Sequence, residues 1–138
     1  MNILLLSLHP RHSQNIFTQK KTIELRKQKP RQVGHILIYE TLPTAAIIGY
    51  CEVEKILCMD AEAFCASHQS ELCLSCQEIR SYLEEKIGYG IKIKNHQAIA
   101  PIPLSKMRKA GILPPQGFRY LSTDMSVKLG VPLSLVSY

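Results

Sequence analysis

Short apolar segments of strand length dominate this chain, and they do not alternate with helices as the strands of a parallel α/β sheet do. Six segments have this character: 2–8, 22–26, 35–40, 45–57, 89–94 and 97–103. Some are continuously apolar, as in fully buried strands, and others alternate apolar with polar residues, as in strands with one buried face. Gly49 lies inside the longest segment and predicts a bulge or a close backbone approach there. Two prolines confine the last segment to a sheet edge.

Helical signals are fewer and shorter. Pro10 suits the first turn of a short helix over 11–19. Asp60 can cap a helix that reaches about residue 68. The sequence SCQE at 75–78 matches the capping box, and one further helical turn is expected over 105–110. The helix after the capping box is expected to reach about residue 87 and to bury Ile79, Leu83 and Ile87.

Together these elements predict an α+β fold, a small mixed β-barrel of about six strands with two or three short helices. A length of 138 residues suits one domain. We assign that domain to 1–122 and a C-terminal tail, too short to be a domain, to 123–138. The chain has 46% hydrophobic and 20% charged residues, which excludes the disordered and fibrous classes.

The sequence also favours a cytoplasmic protein. The first apolar run, 3–6 extended by Leu8, is too short to span a membrane and lacks the flanks of a signal peptide. Five cysteines, an odd number, fit a reducing compartment better than a disulfide framework. No membrane partner is therefore expected.

The net charge of +6 is unevenly distributed. Residues 11–31 contain seven basic residues and one acid, Glu24, whereas 106–119 contain four basic residues and no acid. Residues 52–85 reverse this balance, with eight acids and two basic residues. If the two basic segments meet in the fold, they form a positive face for an anionic partner such as nucleic acid. The alternative is two solvated surfaces that never meet.

Lys21, Glu24 and Arg26 form the candidate site that the residues themselves suggest. On a strand, Glu24 and Arg26 share one face with Thr22, while Lys21 lies at the entry of the strand and can reach either face. A carboxylate between two cations stays ionised and can accept from an exocyclic amine of a base, while the cations hold a phosphate. The alternative is an exposed ion pair worth about 0–1 kcal/mol.

Three further side chains can complete such a site. Tyr39 and Tyr89 offer aromatic surfaces to an unstacked base. His9 can donate or accept a hydrogen bond. The alternatives are that Tyr39 is a core residue with a satisfied hydroxyl and that His9 caps the following helix.

Cys65, His68, Cys73 and Cys76 lie within twelve residues, and two of them have Cys-x-x-Cys spacing. Four such ligands can hold zinc. The chain has a single Cys-x-x-Cys, however, and Cys76 falls within the capping box. Buried or free thiols are the favoured interpretation, with the zinc site left open, and no metal or other cofactor is predicted.

Several short motifs occur in an order that matches a known family. They are LSLHP at 6–10, KKTIELR at 20–26, IYETLP at 38–43, IIG at 47–49, GYGI at 88–91 and PPQGFRY at 114–120. The chain resembles the ASCH domain of the PUA-like superfamily over about residues 3–121. It is similar to the small bacterial and phage proteins described as predicted transcriptional regulators or activating signal cointegrator homologues.

The resemblance implies a PUA-like β-barrel whose cleft is bounded by the strand of Lys21, Glu24 and Arg26. It implies a nucleic-acid-binding module, above all for RNA, that takes a nucleotide in a basic cleft and regulates transcription or translation. Gln116 and Arg119 lie in the last motif and join the candidate site on that ground. The expected partner is RNA, another single-stranded nucleic acid or a nucleotide-like small molecule, and the oligomeric state stays open.

Some members of the resembled family are enzymes, so an enzyme is the alternative. One branch removes the acetyl group of N4-acetylcytidine with a lysine, a threonine three residues on and a distal glutamate, and another member has been described as a ribonuclease. Lys21 matches that lysine, but Glu24 stands at the position of the threonine. An enzyme would be a metal-independent hydrolase of RNA or a nucleoside, with Lys21 and Glu24 as its catalytic residues. A third hypothesis is an interaction protein whose acidic helical segment contacts a partner.

Overall fold

The computed structural model describes residues 3–31 and 34–132, and within them the chain forms six strands and five helices. The strands are β1 (Ile3–Leu8), β2 (Ile23–Arg26), β3 (His35–Glu40), β4 (Ala46–Met59), β5 (Gly88–Pro103) and β6 (Phe118–Leu121). The helices are α1 (Pro10–Phe17), α2 (Ala61–Leu72), α3 (Cys76–Leu83), α4 (Leu104–Lys109) and α5 (Thr123–Lys128).

All six strands join one mixed sheet in the order β2-β5-β4-β3-β1-β6. Strands β1 and β3 pair in parallel, and the other neighbours pair antiparallel. Strands β4 and β5 have 14 and 16 residues, pair along their lengths and curl the sheet into a half-barrel. The predicted α+β fold with about six strands is confirmed, with more helices than the two or three expected.

The strand prediction differs from the structure in two places. The segments predicted as separate strands, 89–94 and 97–103, form the single strand β5. Asn95 and His96 do not interrupt this strand because they pair with Glu52 and Cys51 of β4. Strand β6 was not predicted, since its four residues form a strand by pairing with β1, far away in the sequence.

Gly49 allows α1 to pack directly on the sheet. The register of β3 against β4 shifts beside it, so the bulge predicted at this glycine is confirmed. An ideal Cβ on Gly49 would lie 2.0 Å from Cζ of Phe17, at the end of α1. Any larger residue would therefore displace the phenyl ring and the helix that carries it.

Helix α2 begins where the sequence predicts and extends further. The Asp60 carboxylate caps it by accepting from the backbone N–H of Ala63 at 2.9 Å. The helix continues to Leu72 rather than to residue 68, because Leu72 is fully buried and Cys73 ends the helix in the left-handed conformation.

Helix α3 begins as predicted and ends early. The capping box is present, with Ser75 and Glu78 bonding each other's backbone N–H groups. The helix stops at Leu83 rather than near residue 87, because Glu84 and Glu85 adopt positive φ angles of 50° and 66°. Ile87 is consequently 48% exposed, so its predicted burial is wrong, whereas Ile79 and Leu83 are buried as expected.

Three apolar clusters hold the elements together. The first contains Leu129 and Val131, from the segment assigned as a tail, beside Met107 of α4. The second lies under α1, and the third joins β2 to α2 and α3 through Phe64. Of the tail assigned to 123–138, residues 133–138 lie outside the described part of the chain.

Candidate functional site

A pocket of about 410 Å³ opens where β1 ends and α1 begins, between strand β2 and helix α3. This volume suits a small ligand such as a nucleotide. Its lining residues come from three separate parts of the chain: Ser7, Leu8, His9, His12, Lys21, Glu24, Leu25, Arg26, Leu74, Glu78, Tyr82 and Gln116. Nine of these twelve residues have charged or polar side chains.

Lys21, Glu24 and Arg26, which we call the buried triad, form one wall of the pocket. Lys21 Nζ lies 3.4 Å from Oε1 of Glu24, and Arg26 Nε lies 2.9 Å from Oε2 of the same carboxylate. Lys21 is 2% exposed and Glu24 is 6% exposed, so the alternative of an exposed ion pair is wrong. The carboxylate therefore holds two cations in fixed positions at the pocket.

Backbone carbonyls accept hydrogen bonds from both cations of the triad. Lys21 Nζ donates to the carbonyl of Leu72 at 2.7 Å, and a guanidinium nitrogen of Arg26 donates to the carbonyl of Ser7 at 3.2 Å. Lys21, which precedes β2, is thereby tied to the end of α2, and Arg26 of β2 is tied to β1. Two carbonyls and one carboxylate thus give each of the two cations two hydrogen-bonding or ion-pair partners.

His12 lies in the same pocket, on helix α1, and was not predicted. Its Nδ1 is buried and has no hydrogen-bond partner in the described part of the chain. Burial, and then the positive charge of Lys21, lower the pKa of this imidazole. His12 is therefore neutral at neutral pH and able to accept a proton. The sequence signal that could have identified His12 is its position four residues before the buried Ile16, which places it on the inward face of the helix.

Helix α3 contributes two further residues that sequence reasoning missed, Glu78 and Tyr82. They lie four residues apart and so project from the same face of the helix. The guanidinium of Arg11 and the Ser75 N–H bond the Glu78 carboxylate, which lowers its pKa to about 2. The Tyr82 ring is 37% exposed, and Lys27 Nζ lies 4.9 Å from its centroid.

Five of the nine predicted site residues line this pocket: His9, Lys21, Glu24, Arg26 and Gln116. His9 occupies the N-cap position of α1, as the alternative suggested, but its side chain forms no capping hydrogen bond. Its Nδ1 lies 3.2 Å from the hydroxyl of Thr41. Gln116 reaches the pocket from the Pro-Pro-Gln segment, which the Ser7 hydroxyl holds by donating to Pro115.

The other four predicted site residues lie outside the pocket lining. Thr22 donates its hydroxyl to Glu71, 3.3 Å away. Tyr39 is 5% exposed and belongs to the first core cluster. Tyr89 pairs with Arg26 across the β2–β5 register, and Arg119 pairs with Leu5 in β6. A role of these four in binding stays a prediction.

The two basic segments, 11–31 and 106–119, differ in their ion pairing. Cations of the first segment pair with acids of α3 and the turn after it, in Arg11–Glu78 and Lys27–Glu84. In the second segment, by contrast, no carboxylate of a described residue lies within 4 Å of the cations Lys106, Arg108, Lys109 and Arg119. The acidic middle of the chain is thus partly neutralised at the rim of the pocket.

Three of the four residues of the alternative zinc site have side chains that contact a backbone carbonyl or a carboxylate. Cys73 Sγ contacts the carbonyl of Lys20 at 3.0 Å, and His68 Nδ1 contacts Glu71 at 2.7 Å. Cys65 donates to the carbonyl of Cys76. Within 3–31 and 34–132, no three His, Cys, Asp or Glu side chains are grouped so that they could hold a metal ion.

Within the described residues 3–31 and 34–132, no helix is long and apolar enough to cross a membrane.

Comparison with known proteins supports the geometric description. The ASCH domain model matches residues 6–103. The ASCH domain-containing ribonuclease of Zymomonas mobilis is 32% identical over 130 residues, which are 90% of this chain and 87% of that protein.

Solved structures match over nearly the whole chain. ASCH from Zymomonas mobilis has a TM-score of 0.85 at 30% identity, covering 98% of this chain and 96% of that one. A variant of ZmASCH with serine replaced by alanine has a TM-score of 0.85 at 29% identity, covering 93% of this chain and 94% of that one. The resemblance drawn from the sequence motifs is thereby confirmed.

Proposed function

Because the chain belongs to the ASCH domain family, we propose that it is a ribonuclease that cleaves RNA in the pocket beside the buried triad. The observation that carries the proposal is the triad itself, in which Lys21 and Glu24 are buried and the Arg26 side chain is 12% exposed at the wall of a nucleotide-sized cavity. Burying charged groups is costly, and such groups in a cleft are typical of functional sites. A relative named as a ribonuclease, 32% identical to this chain, supports the same activity.

The pocket groups suit cleavage by the substrate's own 2′-hydroxyl. A general base removes the proton of that hydroxyl, and the oxygen attacks the adjacent phosphorus. The bond to the 5′-oxygen then breaks, and this oxygen takes up a proton. The products are a 2′,3′-cyclic phosphate and a 5′-hydroxyl. This reaction needs a base, a proton donor and fixed cations that face the charge developing on the phosphorus.

His12 is the base in this proposal, because its lowered pKa leaves it neutral at neutral pH. His9, the residue immediately before α1, also lines the pocket and is the candidate donor of a proton to the 5′-oxygen. Lys21 and Arg26 stabilise the phosphate, and Glu24 positions both of them. Glu24 is a weaker candidate for the base, since both of its oxygens contact cations.

The test is cleavage of a labelled RNA of mixed sequence by the full chain and by Lys21→Met, with Lys20→Met as the matched control. Lys20 is exposed and is not part of the pocket lining. We expect cleavage with a cyclic-phosphate product from the wild type and Lys20→Met, and its loss from Lys21→Met. No cleavage by the wild type, or equal cleavage by Lys21→Met, contradicts the proposal. Circular dichroism of each variant distinguishes lost chemistry from lost folding.

His12→Gln tests the assignment of the base, with His96→Gln as the matched control. His96 is half-buried like His12, but its ring packs edge-on against Phe17, outside the pocket lining. Loss of a general base typically lowers the rate about 10²–10⁴-fold. We expect that loss from His12→Gln alone, and similar rates for the two variants would remove His12 from the mechanism.

Deacetylation of a modified nucleoside is the second candidate, favoured by the presence of Glu78 in the same pocket as Lys21. In this candidate function, Lys21 and Glu78 take the places of the lysine and the distal glutamate of the amidohydrolase pattern, although the sequence does not identify that glutamate. The pattern's threonine is replaced by Glu24, and the Thr22 hydroxyl contacts Glu71 instead. Turnover of N4-acetylcytidine that exceeds RNA cleavage would favour this candidate over the ribonuclease.

A third possibility is that the protein binds RNA without cleaving it and regulates transcription or translation, and this stays a prediction. It predicts that RNA affinity falls steeply with salt, because several phosphate contacts release counterions. Tight, salt-dependent binding in a gel-shift series, without any cleavage product, would support it against both enzymes.

A further inference from the structure

We infer that the site holds two consecutive nucleotides of single-stranded RNA, with the second base stacked on Tyr82. A second cavity of about 370 Å³ adjoins the pocket described above. It is lined by Arg26, Lys27, Gln28, Tyr82, Gln116, Gly117 and Phe118. Three of these residues, Arg26, Tyr82 and Gln116, also line the first pocket, so the two cavities share a wall.

The second cavity has the chemistry of a base and its phosphate. The Tyr82 ring is 37% exposed, and it is the aromatic side chain that lines both cavities. An exposed tyrosine beside cations is a typical platform for an unpaired base, whose face stacks on the ring while the cations meet the backbone. Gln116 adds an amide that can pair with a base edge.

Two cations flank this platform. Arg26 lies on the shared wall, where the phosphate that links two nucleotides would have to pass. Lys27 Nζ lies over one face of the Tyr82 ring, 4.9 Å from its centroid and 3.1 Å from a carboxylate oxygen of Glu84, so a base stacks on the other face of the ring or takes the place of this ammonium. The Lys27–Glu84 pair is exposed and weak, so an incoming phosphate can replace Glu84 as the partner of Lys27.

This arrangement selects single strands. Stacking on Tyr82 requires a base that has left its own stack, which a paired duplex does not supply. The inference rests on the proposed function of the first pocket, because the second nucleotide is the neighbour of the one that is cleaved there. It adds a footprint of two nucleotides and a specificity residue, Tyr82, that the ribonuclease proposal does not contain.

The test measures binding by fluorescence anisotropy with two probes that lack a 2′-hydroxyl, a 2′-O-methyl trinucleotide and a 2′-O-methyl mononucleotide. We compare the full chain with Tyr82→Ala, with Tyr82→Phe, which keeps the ring, and with Ile87→Ala. Ile87 is the matched control, because it is exposed and lies outside both cavities. One stacked base is worth about 1–3 kcal/mol, which corresponds to roughly 5- to 150-fold in affinity.

We expect Tyr82→Ala to weaken trinucleotide binding by about tenfold or more and to lower the ratio of trinucleotide to mononucleotide affinity. Tyr82→Phe and Ile87→Ala are expected to keep both values, and a longer 2′-O-methyl strand annealed to its full complement is expected to bind more weakly than the same strand alone. An unchanged ratio in Tyr82→Ala, or equal binding of single and double strands, overturns the inference.

The two proposals fail separately. RNA cleavage that depends on Lys21, together with Tyr82-independent binding, leaves the ribonuclease standing and removes the second nucleotide. Tyr82-dependent binding of the non-cleavable probe, without cleavage of ordinary RNA, removes the ribonuclease and keeps the two-nucleotide site. Failure of the wild type to bind the trinucleotide probe contradicts the two-nucleotide site, whereas the cleavage assay alone decides on the ribonuclease.

Discussion

Replacing Glu24 by glutamine removes the one negative charge of the buried triad while nearly keeping its shape. The carboxylate contacts Lys21 Nζ at 3.4 Å and Arg26 Nε at 2.9 Å, and both cations are shielded from water, with side chains 1% and 12% exposed. Removing one partner of a buried pair typically costs about 3–5 kcal/mol, because the remaining charge is left uncompensated. Glutamine retains an oxygen for Arg26, and Lys21 retains the carbonyl of Leu72. We therefore expect a loss near the lower end, about 3 kcal/mol.

The assay is equilibrium unfolding in urea, in which the midpoint should fall while the slope stays constant. Glu62→Gln is the matched control, because Glu62 also pairs with an arginine, Arg80, but both side chains are more than half exposed. Exposed pairs contribute little, so we expect a much smaller loss from the control. A double variant with Lys21→Met removes both charges of the pair, and we expect it to lose less than the sum of the two single variants.

Two results would refute this reasoning. A loss from Glu24→Gln below about 1 kcal/mol would mean that the triad behaves as an exposed pair despite its burial. Strict additivity in the double variant would mean that Lys21 and Glu24 do not interact, since coupled neighbours give non-additive free energies. Either result would remove the physical basis for two cations held in fixed positions at the pocket.

Further predictions concern pH, packing and salt. Burial lowers the pKa of His12 in the folded protein, so His12 contributes stability above its ordinary pKa of about 6.5 and this stability is lost as pH falls. His12→Gln should therefore weaken the decline in the free energy of unfolding between pH 7 and pH 5. An unchanged decline would contradict this prediction. Gly49→Ala should destabilise the protein by about 1–3 kcal/mol, because its methyl group meets the Phe17 ring, and Phe17→Leu should recover part of that loss in thermal melts. Phe64→Ala should lower the free energy of unfolding by about 3–5 kcal/mol, because the Phe64 side chain is fully buried between α2 and β2. A loss below about 1 kcal/mol in urea unfolding would show that the third cluster does not hold these elements together. RNA affinity should fall linearly on a logarithmic salt axis, and a flat line would exclude phosphate contacts at the pocket.

Local sequence signals predicted most of the elements correctly, because the relevant contacts span only a few residues. The capping box from Ser75 to Glu78 and the Asp60 cap act within one helical turn, and both are present. Gly49 marked the bulge because a missing Cβ is visible in the sequence. The early end of α3 was missed, since neither Glu84 nor Glu85 is a residue type that usually signals a left-handed conformation.

The candidate site was predicted in part for the same reason. Lys21, Glu24 and Arg26 are close in sequence, and their short strand made a shared face predictable. His12, Glu78 and Tyr82 were missed because they reach the pocket from α1 and α3, which only the packing of the helices brings to β2. The likeness to the ASCH family also came from the sequence, through the order of its short motifs.

The sequence by itself therefore determined the α+β class, about six strands, the helix caps and a charged group on β2, since periodicity and capping act over neighbouring residues. Only the tertiary structure decided that this group is buried, that α1 and α3 close a pocket over it, and that a second cavity adjoins it. The contacts responsible join residues far apart in the chain, with separations of 51 residues from Lys21 to Leu72 and 108 from Ser7 to Pro115. No local pattern encodes such contacts, because they form only when the whole sheet curls and places its helices.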